Sequence, residues 1–502
     1  MSGSDEFQAR LHALEELRAA GVDPYPPRAH PTHTAAQVRA LLQEREDDHV
    51  TVAGRIVGGL RPMGKLAFVH LQDGSMPQAA EASASERRLY GRIQLSIQRP
   101  VVGEEGWALF RRLHAGDFVE AAGTTFHTQR GEPSVRVERL TLLAKALRPL
   151  PEKFHGLEDT EARYRQRYLD LLVNEDTRRI FLLRSRLVGY MRRFLDARDF
   201  VEVETPILQP LYGGGAARPF ITHFNVLDED LYLRIALELY LKRLIIGGFD
   251  RVYEIGHNFR NEGFSRQHSP EYTMLEAYQA YADYTDMMEL CETMIEGAAR
   301  ELLGTTRLTV AGREVDLAAP WPRVPLLDAI TEYSGVDVRS HPSQGELYAA
   351  AARAGVELPS ATPRAKIIDE LLKTFVEPRL IAPTHLIDYP VELSPLAKRK
   401  PGTEDLVERF ESFVGGIEIA NAFSELNDPI DQRARFLQQQ DDRAHGDEEA
   451  HPIDEDFLLA LEHGMPPAGG IGIGVDRVTM VFTGATNIRD VILFPHLRRD
   501  ER

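Results

Sequence analysis

At 502 residues, with 43% hydrophobic and 27% charged side chains, the chain is too long for one ordinary core, and its composition excludes wholesale disorder; two or three globular domains are expected. A formal charge of −18, from 59 basic and 77 acidic residues, excludes a general nucleic-acid binder acting through its overall field, so an RNA partner must meet local basic or stacking patches. The single cysteine, Cys291, excludes an intrachain disulfide and a Cys-rich zinc site. Met1 to Glu6 lack the basic then apolar run of a signal peptide, and no uninterrupted apolar stretch reaches spanning length; a cytoplasmic, reducing compartment with no membrane partner is expected.

In chain order, Phe7, Leu11, Leu14 and Leu17 have helical spacing, stopped by Gly21 and Pro24, and a second helix is expected near Ala35 to Arg45. From about Val50 to Leu147 the pattern changes to short strands: Val50 to Val57, Leu66 to Gln72, Gly91 to Gln98, Asp117 to Phe126 and Ser134 to Leu143. Five strands in about a hundred residues fit a small closed barrel of the oligonucleotide-binding kind, although strand count alone does not separate this from another small β domain. Fifteen residues rich in Ala, Ser and Glu, Met76 to Tyr90, interrupt the pattern and read as a loop or short helix. Pro149 and Pro151 mark a linker. Thr177 to Arg198 is expected as a long amphipathic helix, running into a strand at Phe200 to Glu204 that Pro206 ends.

Within Val252 to Tyr278, two β-prone runs flank a polar stretch holding Gly263, Arg266, His268 and Pro270, which predicts a hairpin with a long loop. Strand alternation then puts Asn258 and Arg260 on one face of the first run and Tyr272, Met274, Glu276 and Tyr278 on one face of the second. An Arg and two Glu in a hairpin also fit a solvated face with weak ion pairs. About Leu302 to Pro378 reads as helical, with little chemistry. Gly415-Gly416 reads as a two-residue hairpin turn, which puts Phe413 opposite Glu418 and Glu411 opposite Ala420. Glu411 and Glu418 then become diagonal neighbours, with Cα atoms roughly 7–8 Å apart, able to bracket one Mg²⁺; Arg409 neutralising them at the surface is the alternative. Gly469 to Met480 passes from a glycine-rich strand into an apolar helix, and its spacing is neither G-x-G-x-x-G nor a Walker loop.

Phe259-Arg260-Asn261-Glu262 with His268 to Glu276 resembles motif 2 of class II aminoacyl-tRNA synthetases; the Thr177 to Pro206 stretch resembles motif 1, and Arg477 the motif 3 arginine. Met63-Gly64-Lys65 with Phe68, then Gly91 to Leu95, resembles the anticodon-binding domain of the lysyl, aspartyl and asparaginyl members, and Ser394 to Arg399 resembles the lysyl branch of bacterial type. The resemblance implies an α+β chain: an N-terminal extension over 1–48, an OB-fold anticodon-binding β-barrel over 49–148, a linker over 149–160, and an antiparallel-sheet catalytic domain over 161–502 with a helical insertion at about 302–380.

Carried over position by position, the resemblance implies catalytic roles for Arg260 and Arg477, and ATP contacts from Arg260, Glu262, His268, Tyr272, Glu411 and Arg477. Lysine contacts fall to Gly214, Glu238, Arg260, Glu276, Tyr278, Asn421, Phe423 and Glu425, metal contacts to Glu411 and Glu418, and anticodon contacts to Phe68, Gln94 and Glu132. Lysine is preferred over aspartate because an aspartate pocket would want a cation where Glu425 stands, whereas lysine's two ammonium groups need anionic contacts. The expected activity is lysine–tRNA ligation with Mg²⁺ (more than one ion with ATP bound), with ATP, L-lysine and tRNA(Lys) as substrates, in a homodimer. The alternatives are a lysine-activating paralogue that modifies a protein, which would usually lack the barrel, or a non-catalytic tRNA-binding relative, which would be expected to lose Arg260, Glu411, Glu418 or Arg477. The family mostly has Pro at 237, Ala at 215 and Phe at 272, where this chain has Leu237, Gly215 and Tyr272. In a regular strand, Asn421, Phe423 and Glu425 would point away from Glu418, whereas the resemblance puts all four near ligand; a bulge around Ala420 would reconcile the two.

Overall fold

The computed structural model describes residues 3–75, 91–151, 157, 159–215, 217–444 and 452–498. The Met76 to Tyr90 insertion and part of the expected linker lie outside them. The chain divides into two compact units, Met1–Glu175 and Asp176–Arg502.

In the first unit β1 (His49–Met63), β2 (Leu66–Gln72), β3 (Arg92–Gln98), β4 (Phe118–His127) and β5 (Pro133–Ala144) close into a barrel of order β1-β2-β3-β5-β4. The β3–β5 pair is parallel, and the other neighbours are antiparallel. Alternation drives the closure: in β2 Ala67, Val69 and Leu71 are buried while Leu66, Phe68 and His70 face outward. β1 runs six residues beyond the expected Val57, because a register shift between Val57 and Arg61, where Gly58 takes φ +86°, bends the strand and lets it pair on. A helix, Arg99–Arg112, was not anticipated from the strand pattern; Pro100 opens it, and Trp107, Leu109 and Phe110 pack into the barrel core.

The second unit carries β6 (Val201–Glu202), a three-stranded sheet of β7 (Leu208–Gln209), β8 (Ile221–Phe224) and β9 (Glu229–Leu233), the hairpin β10 (Arg251–Phe259) and β11 (Glu271–Ala280), a second hairpin β12 (Arg307–Val310) and β13 (Arg313–Asp316), and then β14 (Arg323–Pro325), β15 (Thr384–Pro390), β16 (Leu406–Val414), β17 (Ile417–Ser424) and β18 (Ala468–Gly474). Eight of these form one sheet in the order β14-β15-β16-β17-β18-β11-β10-β6, antiparallel at its centre and parallel at both edges. The Glu175–Asp196 helix buries Leu187, Met191 and Leu195, and the Tyr284–Leu303 helix buries Met287, Cys291 and Met294, in the core against this sheet.

The 302–380 stretch is not purely helical. Ala311 and Gly312 both take positive φ and close the β12–β13 hairpin in two residues, and β14 joins the main sheet parallel to β15. The helices Leu326–Ser334, Gln344–Arg353 and Arg364–Leu371 complete it. Short apolar runs at strand and helix spacing are not separable over three or four residues, which is why these strands were missed.

Candidate active site

The site is built on a strand that is mostly absent as side chain. β18 carries Gly469, Gly470, Gly472 and Gly474, and it lies between β11 and β17 in the register Tyr278↔Gly470↔Phe423 and Glu276↔Gly472↔Asn421. Side chains from the two outer strands therefore lean over a bare floor. A Cβ on Gly470 would fall against Glu425 Oε1 and 2.5 Å from Tyr278 Cε1, so the space above that backbone is already filled by these two groups. Expected hairpin pairing holds in β10–β11, where Asn258 lies opposite Tyr272 and Glu254 opposite Glu276; Arg260 lies just past β10, its N–H donating to Pro270 O at 2.9 Å.

Over this floor the structure gathers three buried carboxylates, Glu238, Glu276 and Glu425. Glu238 opens the Glu238–Ile246 helix. Glu276 Oε1 accepts from Leu237 N at 3.1 Å and Asn258 Nδ2 at 3.4 Å, and its Oε2 accepts from Tyr278 Oη at 3.3 Å. Burial, then the charge of Glu238, pushes the Glu276 carboxyl up to about 7. Glu425 is raised well above its ordinary value by burial, against the pull of Lys242, and its Oε1 is buried with no hydrogen-bond partner. Lys242, one turn along the helix from Glu238, reaches both: its Nζ lies 2.6 Å from Glu238 Oε1, contacts Glu425 Oε2, and stands 5.4 Å from the centre of the Phe423 ring. Lys242 was not singled out from sequence, although the i, i+4 spacing from Glu238 was a signal for it.

On the adjoining side, the β16–β17 hairpin turns at Gly415-Gly416, both with positive φ. Its register steps from Ser412↔Ala420 to Phe413↔Glu418, leaving Ile419 as an extra residue. Regular pairing is thereby corrected: Glu411 lies opposite Asn421 rather than Ala420, and Glu418 is turned to the same face as Asn421 and Phe423, while Ile419 and Ala420 are buried behind. Glu411 accepts from Tyr389 Oη at 2.8 Å and pairs with Arg409 at 2.7 Å, while Arg409 Nε donates to Asn421 Oδ1 at 3.0 Å. Burial and the neighbouring Glu418 push the Glu411 carboxyl up to about 7. Burial opposes ionisation of Glu418 too, but Arg477, donating to its Oε2 at 2.8 Å and its carbonyl at 2.9 Å, holds it below the ordinary value. Two oxygen donors on one face, one raised by the other's charge, fit a hard cation. Among the described residues no three His, Cys, Asp or Glu side chains converge as an all-protein cage, so phosphate and water oxygens would complete its shell.

Between the two clusters stand Arg260 and Tyr272. The Arg260 guanidinium lies 5.4 Å from the centre of the Tyr272 ring, and its buried Nε has no partner. A Cβ on Gly215 would come 3.3 Å from Arg260 Nη2, and Gly214 takes φ +85° against Ala236 and Glu238, so this glycine run lets backbone approach where side chains could not. Tyr272 lies within the electrostatic reach of Arg260, Glu276, Arg477 and Glu262, which places it between the two clusters; Glu262 itself is exposed. His268 Nε2 meets Arg477 Nη2 at 3.2 Å, and burial followed by Arg477 pushes its pKa down, keeping the ring neutral. Arg184, from the Glu175–Asp196 helix, contacts Asp476 and donates to Thr273 Oγ1 at 2.9 Å, while Thr273 N donates to Asp476 Oδ2 at 2.7 Å. Three stretches far apart in the chain meet at that carboxylate. Glu377, from the insertion read as carrying little chemistry, is within reach of Glu418 and Arg477 and is pushed up to about 7 by burial and Glu418.

In the barrel, Phe68 and Gln94 share the outward face of β2 and β3, and Gln94 Oε1 accepts from Ser134 Oγ at 3.0 Å. Glu132 precedes β5, its backbone N–H donating to Thr128 Oγ1 at 3.0 Å.

A family model described as tRNA synthetases class II (D, K and N) matches residues 159–498. Over nearly the whole chain, the protein is 53% identical to a lysine–tRNA ligase of Moorella thermoacetica, covering 99% of both chains. The chain belongs to the class II lysyl-tRNA synthetases. The synthetase is also 54% identical over 497 residues to a lysine–tRNA ligase of Roseiflexus castenholzii, with 98% of this chain and 99% of the relative covered, and 52% identical to that of Pelotomaculum thermopropionicum, with 99% and 95% covered. Its barrel, its eight-stranded sheet and the order of its three motifs agree with that family. Among the described residues no helix is long and apolar enough to cross a membrane.

Proposed function

We propose that this synthetase is a lysine–tRNA ligase that activates L-lysine with ATP and transfers the lysyl group to the 3′ end of tRNA(Lys). The observation that carries the reading is the meeting of three buried carboxylates, beside Arg260, over the glycine floor of β18. A cavity so rich in buried anions suits a ligand with two ammonium groups, because a buried carboxylate without a cation is costly.

Glu238 and Gly214 receive the α-ammonium, Glu425 and Tyr278 the side-chain ammonium, and Arg260 with Asn421 the carboxylate. Phe423 covers the methylene chain, and Glu276 stands behind as a hydrogen-bonded support. Tyr272 stacks on adenine with Arg477 on its other face, Glu262 takes the amino edge, and His268 and Arg477 hold the outer phosphates. The lysine carboxylate attacks the α-phosphorus, pyrophosphate leaves, and a terminal tRNA hydroxyl then attacks the lysyl carbonyl and releases AMP. Such transfer depends on positioning and charge neutralisation more than on a protein nucleophile, so Arg260 and Arg477 are the catalytic residues. Glu411 and Glu418 would hold Mg²⁺, which supplies charge neutralisation of the phosphates when bound. On the barrel, Phe68 stacks an anticodon base, and Gln94 and Glu132 hydrogen-bond uridine edges.

A homodimer is supported by exposed large apolar side chains on and beside β6 to β8, among them Val201, Ile207, Leu208, Ile221 and Phe224. Light scattering of Leu208→Asp/Ile221→Asp against the parent reads this: a shift to monomer is expected. Amino-acid-dependent ATP–pyrophosphate exchange, run with all twenty amino acids, tests the main reading. Exchange with lysine and lysylation of tRNA(Lys) are expected; exchange with aspartate or asparagine instead would overturn it.

A further inference from the structure

Lys242 is fully buried, and its ammonium bridges Glu238 and Glu425 under the Phe423 ring. The two carboxylates that would receive the two ammonium groups of the substrate are therefore tied to one internal cation. The bridge uses one oxygen of each: Glu238 Oε1 and Glu425 Oε2. Glu425 Oε1 is left buried without a hydrogen-bond partner, packed over Gly470 beside Tyr278.

We propose that Lys242 is a specificity-determining positioning residue that fixes the separation of the two ammonium-binding carboxylates and so selects the chain length of the diamino acid. The inference rests on the assignment of Glu238 and Glu425 to the two ammonium groups. Two buried carboxylates without a shared cation repel and relax apart; joined through one ammonium, neither turns without the other. Although burial disfavours its charged form, the two glutamates hold Lys242 protonated. An amino acid with one ammonium leaves a buried carboxylate uncovered, and a diamino acid one methylene shorter fails to span the fixed gap.

The test is Lys242→Met in the full chain, close in shape but uncharged, with kcat/KM for lysine and for ornithine measured by ATP–pyrophosphate exchange. The lysine-to-ornithine ratio is expected to fall by about tenfold or more, since one methylene is worth about 10–200-fold in discrimination. The change should appear in the KM for lysine, with the KM for ATP unchanged. A ratio that stays constant while both amino acids lose activity together marks a merely structural role and overturns the proposal. If Lys242→Met does not fold by circular dichroism, Lys242→Arg, which keeps the cation but lengthens the bridge, is read by the same ratio, with the same expected fall and the same refutation. Glu425→Gln separates the two readings. An unchanged lysine KM there removes the ammonium assignment itself, whereas a raised KM beside an unchanged Lys242→Met ratio removes the spacing role alone.

Discussion

Gly470→Ala is the most direct probe of the glycine floor. The residue lies mid-strand and outside the positive-φ region, so alanine meets no backbone strain there. Its methyl would instead fall against Glu425 Oε1, 2.5 Å from Tyr278 Cε1 and 2.7 Å from Tyr278 Cδ1. Neither neighbour yields easily: Glu425 is held by Lys242, and Tyr278 is buried with its hydroxyl on Glu276. Forcing one methyl into a packed region costs about 1–3 kcal/mol. If the strain is relieved by pushing Tyr278 and Glu425 into the lysine space, the KM for lysine rises by about 5–150-fold. Gly472→Ala is the internal control, because its methyl would meet the flexible end of Met274 at 3.0 Å, with Glu276 Cγ at 3.7 Å. Pyrophosphate exchange at varied lysine and varied ATP reads the outcome, with thermal unfolding to show that both variants fold. A folded Gly470→Ala enzyme whose lysine KM stays within twofold of the parent would refute the account of β18 as the floor of the amino-acid pocket.

Glu276 predicts a pH effect on stability. Its folded carboxyl keeps a proton up to about 7 whereas the unfolded one ionises near 4.5, so its contribution is whole below 4.5 and lost as pH rises through 7, about 3 kcal/mol in all. Urea midpoints of Glu276→Gln should fall less steeply than the parent's across that window. Glu411→Gln should raise the Mg²⁺ concentration for half-maximal exchange by at least about tenfold, given that even supporting partners of metal ligands are worth about 10–100-fold. A Mg²⁺ titration checks this, with the lysine KM as a control expected to stay unchanged. Phe68→Ala should raise the KM for tRNA by about 5–150-fold, the equivalent of about 1–3 kcal/mol of base stacking. Lysine-dependent exchange without tRNA should be unaffected, and aminoacylation kinetics beside exchange kinetics decide it.

Much of the architecture was legible because its signals are periodic. The β2 strand, Leu66–Gln72, shows as a short β-prone run whose burial alternates in the fold, and the β10–β11 hairpin follows from two β-prone runs around a loop of Gly and Pro. The 302–380 stretch was not, since strands of three or four residues leave no period to count. At the site, the charged residues were visible as a set through resemblance, but their mutual arrangement was not. Lys242 was not singled out, and only the fold brings Glu425 to it across the chain. Arg184 and Asp476 were passed over for the same reason: an ion pair between residues 292 positions apart has no local signature. A bulge would reconcile the conflict between alternation and resemblance near Ala420, and the register places its extra residue at Ile419.

That extra residue gives one strand two reading frames. Before Ile419, β17 presents an even-numbered position, Glu418, to the site face; after it, the odd-numbered Asn421 and Phe423 stand on that same face. A change of chain length by a single residue between Glu418 and Asn421 would put the two sets out of phase and turn one of them into the core. The segment therefore tolerates exchange of side chains far better than any gain or loss of backbone, and the placing of Glu418 on one face with Asn421 and Phe423 is encoded in a count of residues as much as in their identity.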